Sequence, residues 1–308
     1  MAYFYLIASV FCISFSGACA GFFDRRMGDG KNRTAIYNLI LMIAVVAEWG
    51  VLWAIDFSFD PAVFPYVFIF SAGYALGTIM TPLALRYGPL SLTSLVLQVS
   101  VACVTVWGFI FWEDTKVTVL SVVGLVLVVI SLTLCLTGKK KPETEENGNG
   151  GLGEKKVTGK WILFAALLFF GNAACSIAQR EEQIRFAGVE GKIMNAHGAM
   201  LMFFATLLSL VAGVVLFLCS PKQDSGKAFK RAGFIPIISA TLNVLLNLFV
   251  ILMAGTSLSP AVIYPVLAVG GLAISILISL VCFRERLTRL QWLGLLVGAV
   301  AVVLLNLG

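Results

Sequence analysis

Charged side chains are scarce in this sequence, and those present are confined to short segments between long uncharged runs. Charged residues make up 12% of the chain and hydrophobic residues 59%, whereas about a quarter of an average soluble domain is charged. Runs such as 117–137 and 287–307 have about the 20-residue length that crosses a bilayer core of roughly 30 Å as a helix. The composition therefore excludes an ordinary soluble domain and predicts a multi-pass protein of the inner (plasma) membrane.

Residues that ligate metals or carry catalysis are also few. His197 is the only histidine, and no second ligand stands at a suitable spacing, so we predict neither a metal site nor a cofactor and interpret His197 as a structural group. None of the seven cysteines belongs to a CxxC pair, which is typical of small core residues. Because enzymes within membranes need paired aspartates, His/Asp motifs or clustered basic residues, the sequence argues against an enzyme.

Ten apolar segments are separated by charged or by Pro- and Gly-rich breaks, and we interpret each as a membrane helix. They cover residues 3–22, 34–55, 62–86, 89–112, 116–137, 159–179, 192–219, 231–254, 258–283 and 287–307. No Lys or Arg precedes the first segment, which favours a spanning helix over a signal peptide. The Lys-, Glu-, Asn- and Gly-rich segment 139–158 is predicted to be a flexible linker between two five-helix halves, residues 1–138 and 159–308.

The two halves repeat one another in order along the chain. Residues 18–19, 90–91 and 111–114 match residues 174–175, 258–259 and 283–286. Because five is an odd number of spans, the second half must enter the membrane from the opposite side, so the repeat is inverted. Inverted repeats are typical of secondary transporters, in which two halves rock about a site between them. A membrane channel or a non-transporting receptor is the alternative interpretation.

The turn between the ninth and tenth predicted helices carries a family resemblance. Residues 280–288, Leu-Val-Cys-Phe-Arg-Glu-Arg-Leu-Thr, are followed by Gln-Trp-Leu-Gly at 291–294 and by Gly298. In these residues the chain resembles the EamA-type ten-helix members of the drug/metabolite transporter superfamily. The resemblance implies a carrier of two EamA-like repeats, with its cavity formed by the first, third and fourth helices and their second-half counterparts. The first-half copy, with Asp114 and Lys116, departs from this pattern.

Basic residues are distributed unequally between the two sides of the predicted bundle. Of the 22 Lys and Arg, 18 lie in or beside the loops after odd-numbered predicted helices and 4 in those after even-numbered ones. The positive-inside rule then places the linker in the cytoplasm and both termini outside. The family resemblance implies that both termini are inside, so the two arguments predict opposite orientations.

One carboxylate, that of Glu48, lies deep within a predicted helix, between Val46 and Trp49. A charge at this depth is energetically costly, so such a residue tends to line a cavity or to take up a proton. Desolvation favours the protonated form of a carboxyl group, which makes Glu48 the candidate for coupling transport to proton binding. The alternative is a carboxyl group that is hydrogen-bonded to a neighbouring helix.

Uncharged polar side chains inside the helices are the candidate substrate ligands. They are the amides of Gln98, Asn172, Asn243 and Asn247 and the hydroxyls of Tyr74 and Tyr264. Asn243 and Asn247 are four residues apart and share a helical face, and Tyr264 precedes a proline, which frees a backbone carbonyl. We expect these groups to meet between the halves, with hydrogen bonding to a neighbouring helix as the alternative role of each.

The polar and basic residues within the predicted helices indicate the class of substrate. A phosphate or polyanion would need Arg or Lys side chains within the helices to bind it. Arg86, at the end of the third predicted helix, is the one residue that could do so. We therefore expect a small neutral, zwitterionic or cationic metabolite or drug as the substrate and the lipid bilayer as the surroundings. No nucleic-acid partner is expected, and the chain is expected to act as a monomer.

Overall fold

The computed structural model describes residues 2–27, 32–112, 117–137, 158–194, 197–220, 232–254, 260–285 and 287–307. Its α-helices are α1 (Ala2–Met27), α2 (Arg33–Ile55), α3 (Phe64–Tyr87), α4 (Leu90–Val99), α5 (Val101–Phe111), α6 (Val119–Thr137), α7 (Gly159–Arg185), α8 (Gly198–Cys219), α9 (Phe234–Ala254), α10 (Pro260–Val281) and α11 (Arg289–Leu307). A short 3₁₀ turn, Pro61–Val63, precedes α3. Of the predicted linker only Thr158 is described, and its side chain accepts a hydrogen bond from the backbone N–H of Trp161 at the start of α7.

Seven helical segments are long and apolar enough to cross a membrane. They are α1, α2, α3 with its preceding turn, the consecutive pair α4 and α5, α7, α8 and α9. Three shorter apolar helical stretches, 119–135, 266–281 and 289–305, accompany them. Large apolar side chains lie on the outside of the bundle, among them Phe4, Ile110 and Val129, where a soluble protein would not expose so many. The fold is therefore all-α and consistent with a multi-pass membrane protein.

Several helix ends differ from the predicted ones, and charged residues are the reason. α1 continues beyond residue 22 to Met27, and α7 continues beyond residue 179 to Arg185. Arg, Glu and Gln end an apolar run but are good helix formers, so the helices extend past the runs. Conversely, α8 begins at Gly198 rather than at 192, because the Asp56 carboxylate after α2 accepts the backbone N–H groups of residues 192–194 and holds them outside the helix.

Helices α3 and α7 cross at a pair of glycines. A Cβ atom at Gly73 would lie 2.5 Å from the carbonyl oxygen of Gly171 and 2.9 Å from Sγ of Cys175. A Cβ atom at Gly171 would lie 2.9 Å from the carbonyl oxygen of Gly73. The absence of side chains at these two positions lets the backbones of the two halves approach closely, as in other small-residue helix contacts.

A second close contact joins α6 to α11. A Cβ atom at Gly294 would lie 2.5 Å from Sγ of Cys135, and one at Gly298 would lie 2.6 Å from Oγ of Ser131. The Ser131 hydroxyl donates a 2.7 Å hydrogen bond to the carbonyl of Gly294. The glycines thus pack the last helix of each half against the other, which is the packing role that their four-residue spacing predicts.

The helices of the first half pack mainly on those of the second. α1 lies against α9 and α10, α2 against α8 and α9, and α3 against α7 and α8, while α4 contacts α10. The largest buried cluster includes Met42, Trp49, Phe70, Met202 and Ile251. It therefore draws residues from α2, α3, α8 and α9, so the core lies between the halves rather than within either one.

Candidate functional site

The hydroxyl of Tyr74 and the amide of Asn243 meet between α3 and α9. Tyr74 Oη donates to Asn243 Oδ1 at 3.0 Å, and both side chains are half-buried. Each residue follows the start of its helix by nine or ten residues, hence by about 15 Å, which is half of a hydrocarbon core of roughly 30 Å. Two of the predicted site residues, one from each half, are therefore in direct contact at mid-depth.

Asn247 lies on the same face of α9 as Asn243, as its spacing predicts. Its Nδ2 donates to the backbone carbonyl of Asn243 at 2.8 Å. This bond satisfies one amide hydrogen of Asn247 within its own helix.

Glu48 faces the same helix from α2. Its Oε1 accepts a 2.7 Å hydrogen bond from the hydroxyl of Thr241, and the glutamate is half-buried. The carboxylate also lies close enough to Tyr74 to interact with it electrostatically. The predicted coupling residue is thus adjacent to the predicted ligands, and the same contact is the hydrogen bond to a neighbouring helix that was its alternative role.

Sequence reasoning missed the serine that ties α9 to the first half. The buried Ser239 hydroxyl accepts from Tyr37 Oη at 2.9 Å and donates to the carbonyl of Ser16 at 3.2 Å. Serine and threonine hydroxyls in apolar helices usually bond to the backbone of their own helix. A serine in the sequence is therefore weak evidence of a contact with another helix. The polar side chains of α9 are bonded to α1, α2 and α3 or to their own helix backbone; they are those of Ser239, Thr241, Asn243 and Asn247.

Asn172 and Gln98 lie at a different place, where α4 gives way to α5. Nδ2 of Asn172 donates to the hydroxyl of Ser100 at 2.7 Å and to the carbonyl of Leu97 at 3.3 Å. The Ser100 hydroxyl also donates to the carbonyl of Leu97 at 2.7 Å, so the amide from α7 joins a hydrogen-bonded group at the helix interruption. Gln98 sits beside α10, with Nε2 at 3.3 Å from the position of a Cβ on Gly271.

The predicted site residues thus belong to two separate hydrogen-bonded groups, and both groups adjoin the glycine crossing. Tyr74 follows Gly73 in α3, and Asn172 follows Gly171 in α7. One group joins α2, α3 and α9, and the other joins α4, α7 and α10. The remaining candidate, Tyr264, lies in α10, and its side chain is outside the part of the chain that the structure describes.

A cavity of about 260 Å³ lies at the far end of α7, between α7, α8 and α9. Glu182 is in its wall and is only 1% exposed. Its Oε1 accepts the backbone N–H of His197 at 2.8 Å, and its Oε2 has no hydrogen-bond partner in the described residues. The His197 ring packs edge-on against Phe186, with centroids 4.9 Å apart, and its Nε2 lies 4.0 Å from Oδ2 of Asp60.

The sequence prediction placed Glu182 in a loop because Arg180 and Glu181 end the apolar run. The periodicity held a signal that could have found it. Asn172, Gln179 and Gln183 follow one another at seven and four residues, which keeps polar side chains on one face of a continuing helix.

Comparison with known proteins bears on the fold alone. No family model matches the chain, and no curated protein matches it at a significant level. Among solved structures, one described only as "Crystal structure of protein" aligns over 98% of this chain and 98% of its own length, with a TM-score of 0.54 and 13% identity. The likeness at this identity extends to the helical arrangement of the whole chain and to nothing chemical.

Proposed function

We propose that the protein is an alternating-access secondary transporter of a small neutral, zwitterionic or cationic molecule, built from ten membrane spans in two inverted repeats. The spans are α1, α2, α3, α4 with α5, and α6 in the first half, and α7 to α11 in the second. This is the plan that the resemblance to EamA-type drug/metabolite transporters implies.

The pattern of helix contacts between the halves is the observation that carries the proposal. In the proposed repeat, α1, α2 and α3 correspond to α7, α8 and α9. The contact of α3 with α7 therefore corresponds to that of α9 with α1, and the contact of α3 with α8 corresponds to that of α9 with α2. Both members of each pair are packed. The contacts of α2 with α8, α4 with α10 and α6 with α11 map onto themselves and are also packed. Two repeats related by a two-fold axis give this pairing, and unrelated helices have no reason to adopt it. With five spans in each half, such repeats are inverted.

Some contacts depart from the pairing, and one of them supports an alternating mechanism. α1 packs on α3 in the first half, whereas the corresponding α7 and α9 make no comparable contact among the described residues. The cavity beside Glu182 lies at that place. Two halves of one plan in different arrangements are what a carrier open towards one side requires.

The chemistry between the halves favours the proposed substrate class. The groups at mid-depth are Tyr74, Asn243, Thr241 and one carboxylate, Glu48. Arg86, the basic residue singled out in the sequence, lies over the ring of Tyr87 at 5.7 Å. Hydroxyl and amide groups suit neutral or zwitterionic molecules and one carboxylate suits a cation, whereas a polyanion needs basic clamps.

Counterflow in proteoliposomes tests the proposal. A thermal-shift screen of metabolites on purified protein first identifies a substrate, because a ligand of the native state stabilises it. We expect saturable uptake of labelled substrate against a preloaded unlabelled pool. Conductance without saturation would instead indicate a channel and contradict the proposal.

The substitution Tyr74→Phe should slow counterflow roughly fivefold, the effect of losing one hydrogen bond of about 1 kcal/mol. Tyr66→Phe is the matched control, since Tyr66 lies on the same helix and packs edge-on against Phe186 by its ring. If both variants transported at the wild-type rate, the contact between Tyr74 and Asn243 would have no part in transport.

A further inference from the structure

Two cations lie beside one tyrosine ring where the end of α3 meets the start of α7. The guanidinium carbon of Arg86 is 5.7 Å from the centroid of the Tyr87 ring, and Nζ of Lys160 is 5.5 Å from the same centroid. An aromatic ring attracts a cation at such a distance, but it carries no net charge. The two positive charges are therefore not neutralised by the ring, and they repel each other.

No carboxylate among the described residues neutralises this pair. Arg86 and Lys160 form no ion pair in the described part of the chain. Two acidic residues are described at this end of the bundle. Asp24 pairs with Arg33 at 2.7 Å, and the oxygens of Glu285 accept four hydrogen bonds. The described chain thus supplies no anion for the two cations.

Several contacts tie together the two helix ends that carry these cations. The Thr158 hydroxyl donates to the carbonyl of Tyr87 at 3.2 Å. Nε1 of Trp161 donates to the Thr93 hydroxyl at 3.1 Å. A Cβ atom on Gly88 would lie 2.1 Å from Cδ1 of Trp161, so the indole packs directly on the turn between α3 and α4. With the backbones joined in this way, only the two side chains need to move to reach a shared anion.

An apolar side of α7 that is open to the surroundings begins at Lys160. Lys160 is exposed, and Leu163 and Phe170, three and ten residues further on, are 57% and 63% exposed. Residues at these spacings lie on one side of a helix. Because α7 is long and apolar enough to cross a membrane, this side faces lipid, and Lys160 at its first turn lies at the level of the headgroups. Positive charge and lipid-facing apolar surface are therefore adjacent.

We propose that Arg86 and Lys160 bind the headgroup phosphate of an anionic phospholipid whose acyl chains lie along α7, at the contact between the two halves. The phosphate accepts charge-assisted hydrogen bonds from both side chains and supplies the negative charge that the described chain lacks here. A zwitterionic headgroup brings its own cation, so it leaves the excess positive charge in place.

The charge distribution of the chain agrees with this partner. The positive-inside rule predicts that the end of the bundle with Arg86 and Lys160 is cytoplasmic, and basic residues beside membrane helices attract the anionic lipids of that leaflet. The inference concerns lipid binding alone and holds whether or not the protein transports. It names a site apart from the contact between Tyr74 and Asn243.

The test compares two lipids that share their acyl chains and differ in headgroup charge. Dioleoylphosphatidylglycerol, or dioleoylphosphatidylcholine as its neutral counterpart, is added to the full chain in detergent micelles. We expect phosphatidylglycerol to raise the thermal midpoint in a saturable way, and we expect added NaCl to weaken this effect. Phosphatidylcholine should give no saturable shift. Equal shifts from the two lipids would contradict a role for the charge.

Glycerol phosphate in the same micelles distinguishes a lipid from a free anion. It carries the phosphate without acyl chains, so it should stabilise the chain far less than phosphatidylglycerol does. A saturable shift as large as that of the lipid would indicate an adventitious ion only and would contradict a lipid site.

Paired substitutions then assign the charge to this place. Arg86→Gln together with Lys160→Gln should weaken phosphatidylglycerol binding about tenfold or more, because two charge-assisted hydrogen bonds are lost. Arg180→Gln together with Arg185→Gln is the matched control. Both arginines are exposed at the other end of α7, and their loss changes the net charge equally but should leave the affinity unchanged. Equal losses from the two pairs would show attraction by net charge without a defined site, which would overturn the proposal.

A single substitution keeps the test decisive if the paired variant does not fold. Lys160 is exposed, and its side chain forms no hydrogen bond with the described residues, so Lys160→Gln should leave the fold intact. It should weaken phosphatidylglycerol binding about threefold or more, with no change for Arg185→Gln. If the lipid fails to stabilise the wild type, or binds Lys160→Gln as tightly as the wild type, the proposed site is wrong. A transport failure with lipid binding intact would instead contradict only the proposed function.

Discussion

Two buried glutamates at opposite ends of the helix bundle have contrasting surroundings. Glu285 lies near the start of α4, beside Trp161 at the start of α7, whereas Glu182 lies 21 residues further along α7, about 30 Å away at the helical rise. Glu285 is 7% exposed and Glu182 is 1% exposed. Burial is similar, so the difference between the two lies in their hydrogen bonds.

The Glu285 carboxylate joins the two halves. It accepts the backbone N–H groups of Leu90 and Ser91 at the first turn of α4, at 2.6 and 3.4 Å, and the hydroxyls of Ser91 and Ser279. A helix start has unpaired N–H groups and favours negative charge, so this carboxylate replaces a cap within α4 itself. Two carboxylates that are buried to a similar extent therefore differ in how fully their oxygens are hydrogen-bonded within the described residues.

The largest effect is expected from Glu285→Ala, which breaks the structural side of the comparison. The substitution leaves buried donors of α4 and α10 without an acceptor, and we expect the free energy of unfolding to fall by about 3 kcal/mol or more. Denaturant titration in detergent micelles measures it. Ser91→Ala, which removes one of the donors, should cost roughly 1 kcal/mol. If Glu285→Ala lowered the free energy of unfolding by less than Ser91→Ala does, water would have replaced the carboxylate as the acceptor.

An intermediate effect is expected from Asp56→Ala, which tests a satisfied carboxylate at the same end as Glu182. Asp56 accepts the backbone N–H groups of Lys192, Ile193 and Met194. We expect a loss of about 2 kcal/mol and faster proteolysis of the turn before α8 in limited digestion. Asp56→Asn keeps an acceptor oxygen and should lose less. Equal losses for the two substitutions would mean that the charge, not the acceptor, matters.

The smallest effect on stability is expected from Glu182→Gln. The amide oxygen can still accept the N–H of His197, and the unpartnered charged oxygen is removed, so the free energy of unfolding should change by no more than about 1 kcal/mol. The same titration, run beside Glu285→Gln, measures the difference. A loss as large as that of Glu285→Gln would make the two carboxylates alike and would remove the contrast.

Much of the helical layout could be predicted from the sequence, because a membrane span requires a long apolar run. The seven long apolar helical segments of the structure all overlap predicted ones. The break at Ser100 could not be predicted in this way. No proline or glycine marks it, and Asn172, the residue of α7 that bonds there, is more than 70 residues away in the sequence.

The candidate site was predicted in part, for a related reason. Tyr74 and Asn243 each lie near the middle of an apolar run and were expected to meet, and their side chains do form a hydrogen bond. Asn172 and Gln98 have similar depth but lie elsewhere, since depth fixes a position along the membrane normal and not around the bundle. Glu182 was missed because hydropathy marks where an apolar run ends, and α7 continues past that point as a polar helix.

The hydrogen bonds from α1 to α10 and to the turn after it affect how the protein folds during synthesis. Arg25 donates to the carbonyls of Cys282 and Phe283 at 2.8 Å, and Ser14 bonds to the carbonyl of Gly271, across 257 or 258 residues in each case. Contacts of such sequence separation form late and slowly. During synthesis α1 therefore emerges from the ribosome well before α10 and the turn after it, which supply its partners in these contacts. That interval is when the nascent chain most depends on the insertion machinery or a chaperone to shield it.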